Sequence, residues 1–283
     1  MQQVRGIVRS LGRPVRRRVV TVDRAMTRRE VTRAMQAAPV ICYSMGKTGT
    51  TSLTDAIGSA LGQPVLKAHS LVPDRLEQRL RGAPPERRPR FWWHGQAMAE
   101  YLQRHPEARW RVVCAVREPI ARLASAWFFD HGAQVDDSAS AAEGIDGLLR
   151  RVALEEDWFR DELQVVTGLD VYQQPFPHER GWTRLQNDRF DVVVIRTEDL
   201  AVVGAEAVND LLALSQPITI PVSNAGDGGA SSPYTRFLRT WRPDRDLVRA
   251  VYDADQARHF YSRAERDDFA QRWLGPWNGS TGG

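Results

Sequence analysis

The stretch Val40-Ile41-Cys42-Tyr43-Ser44-Met45-Gly46-Lys47-Thr48-Gly49-Thr50-Thr51-Ser52-Leu53 constrains the fold more than any other. Its apolar start, bounded by Pro39 and by two glycines, reads as a short buried strand. Gly46 and Gly49 allow a tight turn, and Thr50, Thr51 and Ser52 open a helix predicted to run to about Leu61. A strand, a glycine turn and a helix start together make an anion site, because backbone N–H groups and the helix dipole both point into the turn. Lys47 adds a full positive charge and the hydroxyls add donors. The stretch is read as a seat for a phosphate or a sulfate.

The order of residues narrows the choice. The nucleotide triphosphate loop G-x-x-x-x-G-K-[ST] places its lysine after the second glycine. Lys47 precedes Gly49, so that pattern fails. Further strands are expected over Gln63–Ser70, Trp110–Val116 and Phe190–Ile195, the last two as continuous apolar runs. Helices are expected over Gln96–Arg104, Ile120–Asp130, Glu143–Val166, Ala205–Leu214, Asp244–Ala257 and Ala264–Trp273. Strands alternating with helices predict an α/β fold, a three-layer sandwich whose parallel sheet carries helices on both faces.

At 283 residues the chain is long enough for one large α/β domain with appendages. The net charge of +4 is unevenly spread: residues 1–33 hold ten arginines against Asp23 and Glu30, which leaves the remainder slightly acidic. The expected organisation is a basic arm over 1–38, an α/β domain over 39–275 and a frayed tail over 276–283. The arm reads first as a solubilising, partly helical extension, with peripheral contact with an anionic surface as the alternative; it lacks aromatics to stack on bases, so no nucleic-acid partner is expected. Cys42 and Cys114 fall in apolar strand-like runs and read as small buried hydrophobes. No run approaches a membrane span, and the Arg-rich start lacks an apolar signal core, so a cytoplasmic protein is expected.

Only two of the 39 basic residues are lysines, Lys47 and Lys67. A chain so biased toward arginine keeps lysine where a compact, flexible ammonium suits a reacting centre. Alternation puts Lys67 and His69 on one side of the second strand, near its carboxyl end, where ligands sit in parallel sheets. Histidine is the side chain best poised to take a proton near neutral pH. His94, in Phe91-Trp92-Trp93-His94, competes for that role. Arg117 stands at the carboxyl end of the third strand and Ser125 lies about one and a half turns into the next helix. An arginine fork and a hydroxyl there can hold a second phosphate; the bland alternative is an Arg117–Glu118 surface pair.

Taken together, these motifs resemble the sulfotransferases that use 3′-phosphoadenosine 5′-phosphosulfate (PAPS). Lys47-Thr48-Gly49-Thr50-Thr51-Ser52 is similar to their 5′-phosphosulfate loop. Arg117-Glu118-Pro119-Ile120-Ala121-Arg122-Leu123-Ala124-Ser125 matches their 3′-phosphate element, and Lys67-Ala68-His69 resembles their Lys-x-His segment, at a shorter distance from the loop. Ile195-Arg196-Thr197-Glu198-Asp199-Leu200, Asp157-Trp158-Phe159-Arg160-Asp161-Glu162-Leu163, Gly168-Leu169-Asp170-Val171-Tyr172 and Arg258-His259-Phe260-Tyr261-Ser262 look most like the bacterial sulfotransferase-like family of capsular polysaccharide synthesis. That family carries Asn-Lys-Trp-Tyr-Ser in its C-terminal third, whereas Asn224 here is followed by Ala225 and Gly226.

The resemblance implies PAPS as co-substrate, no metal, and in-line transfer of its sulfuryl group to an acceptor hydroxyl, with a glycan or glycoconjugate as partner. It implies His69 as the base, with Lys47 and Lys67 stabilising charge. Lys47, Thr48, Gly49, Thr50, Thr51 and Ser52 would hold the 5′-phosphate, Arg117 and Ser125 the 3′-phosphate, and Arg258 is a further nucleotide contact. Trp92, Trp93, Trp127 and Trp182 could offer faces to sugar rings, though tryptophan is more often core. The rivals are a P-loop-type kinase or nucleotide hydrolase, which needs a Mg²⁺-binding carboxylate at a strand end, and a basic nucleic-acid-binding module using residues 1–33.

Overall fold

The computed structural model describes residues 13–81, 90–131, 138–154, 157–221 and 233–275. The start of the basic arm, residues 82–89 and 132–137, the Asn224 segment up to Ser232 and the tail from 276 lie outside the described residues.

The sheet has five strands: β1 (Val40–Tyr43), β2 (Leu66–Ala68), β3 (Trp110–Val116), β4 (Trp182–Gln186) and β5 (Phe190–Arg196). Their order is β2-β1-β3-β5-β4, with β4 antiparallel to β5 and the other neighbours parallel. β1 and β5 are buried throughout, and β3 exposes only Arg111. Burial on both faces is why these strands read as unbroken apolar runs.

Strand alternation sorts the core into two layers. Ile41, Tyr43, Val112, Cys114, Val116, Val192 and Val194 face one layer. It is covered by α1 (Arg13–Ala37), α4 (Arg90–Arg104), α5 (Pro119–His131), α6 (Ser138–Leu154), α9 (Arg245–Asp253), α10 (Asp255–Phe260) and α11 (Arg263–Leu274), with α3 (Pro73–Arg81) and α8 (Pro233–Thr240) beside them. Val40, Cys42, Val113, Ala115, Val193 and Ile195 face the other, under α2 (Thr50–Leu61) and α7 (Leu200–Leu212). The fold is α/β, a mostly parallel sheet between helices on both faces.

Several boundaries differ from expectation for identifiable reasons. The sheet is not wholly parallel. β4 is a polar edge strand whose Arg184 is held by Asp191 at 2.7 Å and Asp210 at 2.8 Å. Asn187 closes its hairpin by accepting from the N–H of Arg189 at 3.0 Å and Phe190 at 2.7 Å. The single helix expected over Glu143–Val166 is broken, because the Asp157 carboxylate accepts from Phe159 N–H at 3.0 Å and starts a new, π-helical turn over Phe159–Gln164. Extended Ala254 splits the expected Asp244–Ala257 helix into α9 and α10. α1 is not a separate arm along its whole length: Val31 and Met35 are buried in the same core as β1, each contributing roughly 2 kcal/mol of apolar burial.

The topology fixes where a ligand can sit. β1 has β2 on one side and β3 on the other, so the connections leaving β1 and β3 diverge and open a crevice at their carboxyl ends. The Lys47 loop and Arg117 are the residues that follow those two ends.

Candidate active site

The loop between β1 and α2 is pinned from inside. The Thr48 hydroxyl is fully buried and donates to Met45 O at 2.8 Å, with Ser44 Oγ 3.2 Å away. Thr197, at the end of β5, donates to both Thr48 O at 3.1 Å and Val116 O at 3.0 Å, which joins the loop to the end of β3. Arg117 Nη1 donates to Lys47 O at 3.2 Å. Lys47 and Gly49 both take left-handed backbone angles, φ 68° and 77°. For glycine that is easy; for Lys47 it costs roughly 1–2 kcal/mol, which the bonds to its own and its neighbour's carbonyl offset.

This shape leaves a donor-rich end on α2. Gly49 is its N-cap and no side chain caps it. The first helical turn closes with Leu53 N–H on Gly49 O at 3.2 Å. The N–H groups of Thr50, Thr51 and Ser52 precede that bond and are those for which an α-helix has no acceptor of its own. Lys67 reaches the same turn from β2, its Nζ 2.8 Å from Thr51 Oγ1. Lys47 Nζ lies over the exposed ring of Phe129 on α5, 4.5 Å from its centroid. Lys67 thus reaches the helix start, whereas the Lys47 side chain leaves the loop toward α5. The Thr48 hydroxyl is committed to the loop itself, so Thr48 can meet a ligand through its backbone.

His69 joins them with a defined proton. Its Nδ1 is 2.8 Å from Ser44 O. A carbonyl only accepts, so Nδ1 carries a hydrogen, and in the neutral ring Nε2 holds the lone pair. The Nε2–Cδ2 edge lies 4.0 Å from where a Cβ on Gly46 would sit, so this edge faces the loop. Trp158 holds the backbone behind the ring by donating from Nε1 to His69 O at 3.0 Å. His94 is elsewhere: it lies on α4, with Nε2 3.9 Å from Glu30 on α1.

Arg117 follows β3 and is half-buried, and half-buried Ser125 lies six residues beyond Pro119, roughly 9 Å along α5. Glu118 is no surface partner for Arg117. It is buried and accepts from the N–H groups of Ile120 and Ala121, each at 2.7 Å, and from Tyr252 OH at 2.7 Å. Its own N–H donates to Glu198 at 2.8 Å, and Glu198 also accepts from Tyr261 OH at 3.0 Å. Burial pushes the Glu198 carboxyl above the ordinary range. Arg258 is not brought to this group: its guanidinium pairs with Asp255 at 2.7 Å, and Asp255 pairs with Arg160.

Other candidates resolve into packing. Trp93 and Trp182 are buried, and Trp92 and Trp127 half-buried. Cys42 and Cys114 are free, buried thiols; burial pushes Cys42 up to about 12 and Cys114 well up, so neither is a nucleophile at neutral pH. Among the described residues no group of three or more His, Cys, Asp or Glu could hold a metal ion, and no helix is long and apolar enough to cross a membrane.

Sequence reasoning missed Glu162. Its buried carboxylate accepts from Tyr43 OH at 2.5 Å, Ser70 OH at 2.6 Å, Leu71 N–H at 3.0 Å and Val72 N–H at 3.3 Å. The one signal was its place three residues after Phe159, on the apolar face of that segment, where an unpartnered acid would not survive.

Residues 150–262 match the family model described as "Putative capsular polysaccharide synthesis protein". No curated protein and no solved structure matches the chain. The matched part is similar to a family with a polysaccharide theme, and it holds the residues that brace the loop from behind: Trp158, Glu162, Thr197, Glu198 and Tyr261. Lys47, Lys67, His69, Arg117 and Ser125 precede it.

Proposed function

We propose that the protein is a PAPS-dependent sulfotransferase acting on a hydroxyl of a glycan or glycoconjugate. The observation that carries this reading is the contact of His69 Nδ1 with Ser44 O, 2.8 Å, beside the Lys47 loop. A neutral ring held with its Nδ1 proton on Ser44 O turns its Nε2 edge toward the loop that carries Lys47, and Lys67 reaches the helix start that follows the loop. The donor set suits a nucleotide with two separate anionic groups: backbone N–H groups at a helix start, two ammonium groups and one arginine fork.

PAPS, when bound, supplies the sulfuryl group and a phosphate leaving group. His69 Nε2 takes the proton of the acceptor hydroxyl. Lys47 and the loop N–H groups oppose the negative charge that grows on the leaving oxygen, and Lys67 steadies the sulfuryl oxygens. Gly49, Thr50, Thr51 and Ser52, with the Thr48 backbone, hold the 5′-phosphate. Arg117 and Ser125 hold the 3′-phosphate. The strand-end carboxylates Glu118 and Glu198 are engaged by helix N–H groups and tyrosines, which argues against their holding Mg²⁺ for phosphoryl transfer. The likeness of residues 150–262 to a polysaccharide-synthesis family supports a carbohydrate acceptor.

Calorimetric titration of adenosine 3′,5′-bisphosphate, the desulfated product, tests this directly. Tight binding in the absence of Mg²⁺ is the expected result. Preference for Mg²⁺–ATP, or equal binding of adenosine 5′-phosphate, would overturn the reading.

A further inference from the structure

The segment Trp158–Glu162 grips both partners of the His69–Ser44 hydrogen bond. On one side, Glu162 accepts from Tyr43 OH, the last residue of β1 and the one before Ser44. On the other, it accepts from Ser70 OH and from the N–H groups of Leu71 and Val72, the residues that follow His69. Trp158 adds a second pair of contacts of the same kind. It lies edge-on against Tyr43 with ring centroids 4.9 Å apart, and its indole N–H holds His69 O. β1 and β2 are themselves in register only as far as Tyr43 opposite Ala68, with Ser44 N–H on Ala68 O at 3.2 Å. That bond is the last of the ladder, and it holds Ser44 to the residue before His69, not to His69 itself.

We propose that Glu162 is the positioning residue for the base: its carboxylate clamps the end of β1 to the turn after β2, and so holds Ser44 O against His69 Nδ1 and fixes the ring's tautomer. One oxygen accepts from Tyr43, Leu71 and Val72 and the other from Ser70, so the planar group spans both strand ends as a rigid spacer. The π-helical turn that carries Glu162 fits this role, since such a turn re-aims side chains relative to an α-helix. As a statement about catalysis the proposal rests on the sulfotransferase reading, but the clamp itself can be measured without it.

The test uses full-length protein labelled with nitrogen-15 at histidine, with ring nitrogens read by two-bond nitrogen–proton correlation at about pH 8, above the ordinary histidine pKa. The His69 signals are identified by their loss in His69→Asn. The unmodified protein should show the Nδ1–H tautomer at His69. Glu162→Gln, which swaps one accepting oxygen for a donating amide, should shift His69 toward the Nε2–H form while binding of adenosine 3′,5′-bisphosphate is retained. If Glu162→Gln does not fold, Tyr43→Phe and Ser70→Ala each remove one arm of the clamp and should each produce a partial shift. Unchanged His69 tautomer in every variant that folds overturns the proposal. A tautomer shift in a protein that ignores the bisphosphate would keep the clamp and overturn only the sulfotransferase reading.

Discussion

Arg117 and Arg196 stand at equivalent places, at the carboxyl ends of neighbouring parallel strands, yet they do opposite things. Arg196 is 6% exposed and every face of its guanidinium is taken: Asp199, Glu265 at 2.6 Å and His178 O at 2.9 Å. Arg117 is half-buried, and among the described residues it makes one bond to a carbonyl, Lys47 O, and no ion pair. An arginine closed off by acids is architecture, because the site has no room or charge left for an anion. An arginine that, among the described residues, is held by a loop carbonyl and by no acid keeps a charge that an anion can meet, next to the loop that carries Lys47. The difference lies in the partners that distant chain segments bring, not in the strand or in the residue type.

The sharpest way to break this comparison is to remove each guanidinium in turn. Arg196→Ala leaves Asp199 and Glu265 without their cation and should cost about 3 kcal/mol of stability, at the low end for a buried pair because both acids are about a third exposed. Urea denaturation reads this as a lower midpoint. Where the variant is folded, its affinity for adenosine 3′,5′-bisphosphate should be unchanged. Were Arg196→Ala to lose bisphosphate binding while keeping its midpoint, the assignment of architecture to Arg196 would be wrong.

Arg117→Ala should show the reverse pattern. Losing charge-assisted bonds to a phosphate should weaken bisphosphate binding by about tenfold or more, roughly 1.5–3 kcal/mol. Its urea midpoint should move less than that of Arg196→Ala, since only one bond to a carbonyl is lost. Adenosine 5′-phosphate should bind both forms alike, because the 5′-phosphate is left to the loop. Equal weakening for both nucleotides would mean that Arg117 acts by holding Lys47 in its left-handed conformation, not by touching the 3′-phosphate.

The same contrast explains what the sequence could and could not reveal. β1, β3 and β5 were legible because strands buried on both faces leave unbroken apolar runs. β4 was not, because Thr183, Arg184 and Gln186 make it look like loop, and its pairing depends on an Asn187 turn and on Asp191 and Asp210. Lys47, Gly49, Lys67, His69 and Arg117 were visible as unusual residues at strand ends, where local pattern and position suffice. Glu162 was not, because its meaning comes from Tyr43, 119 residues away, and Ser70, 92 away. What makes Arg196 architecture is equally remote: Glu265, which closes it off, is 69 residues further on.

The smallest expected effect lies in how the acids beside the two arginines titrate. For Glu265, burial alone would raise the carboxyl, but hydrogen bonds from Ser262 and the charge of Arg196 outweigh it and hold the group below the ordinary range. A lowered folded pKa means a contribution that is present above the unfolded value and lost as pH falls through the folded one. Glu198, behind Arg117, has the opposite sign: burial raises it, with the Glu118 carboxylate adding to the rise against the bonds from Glu118 N–H and Tyr261. Its stabilising contribution is present below the unfolded value and lost as pH rises through the folded one. Urea midpoints measured across the acid range should therefore separate the two variants. Glu265→Gln should fall less steeply than the unmodified protein as pH drops, whereas Glu198→Gln should fall more steeply, having lost a group that binds its proton more tightly when folded. If the two variants instead run parallel to the unmodified protein, these carboxyls do not distinguish the arginine surroundings, and the contrast rests on Arg117 and Arg196 alone.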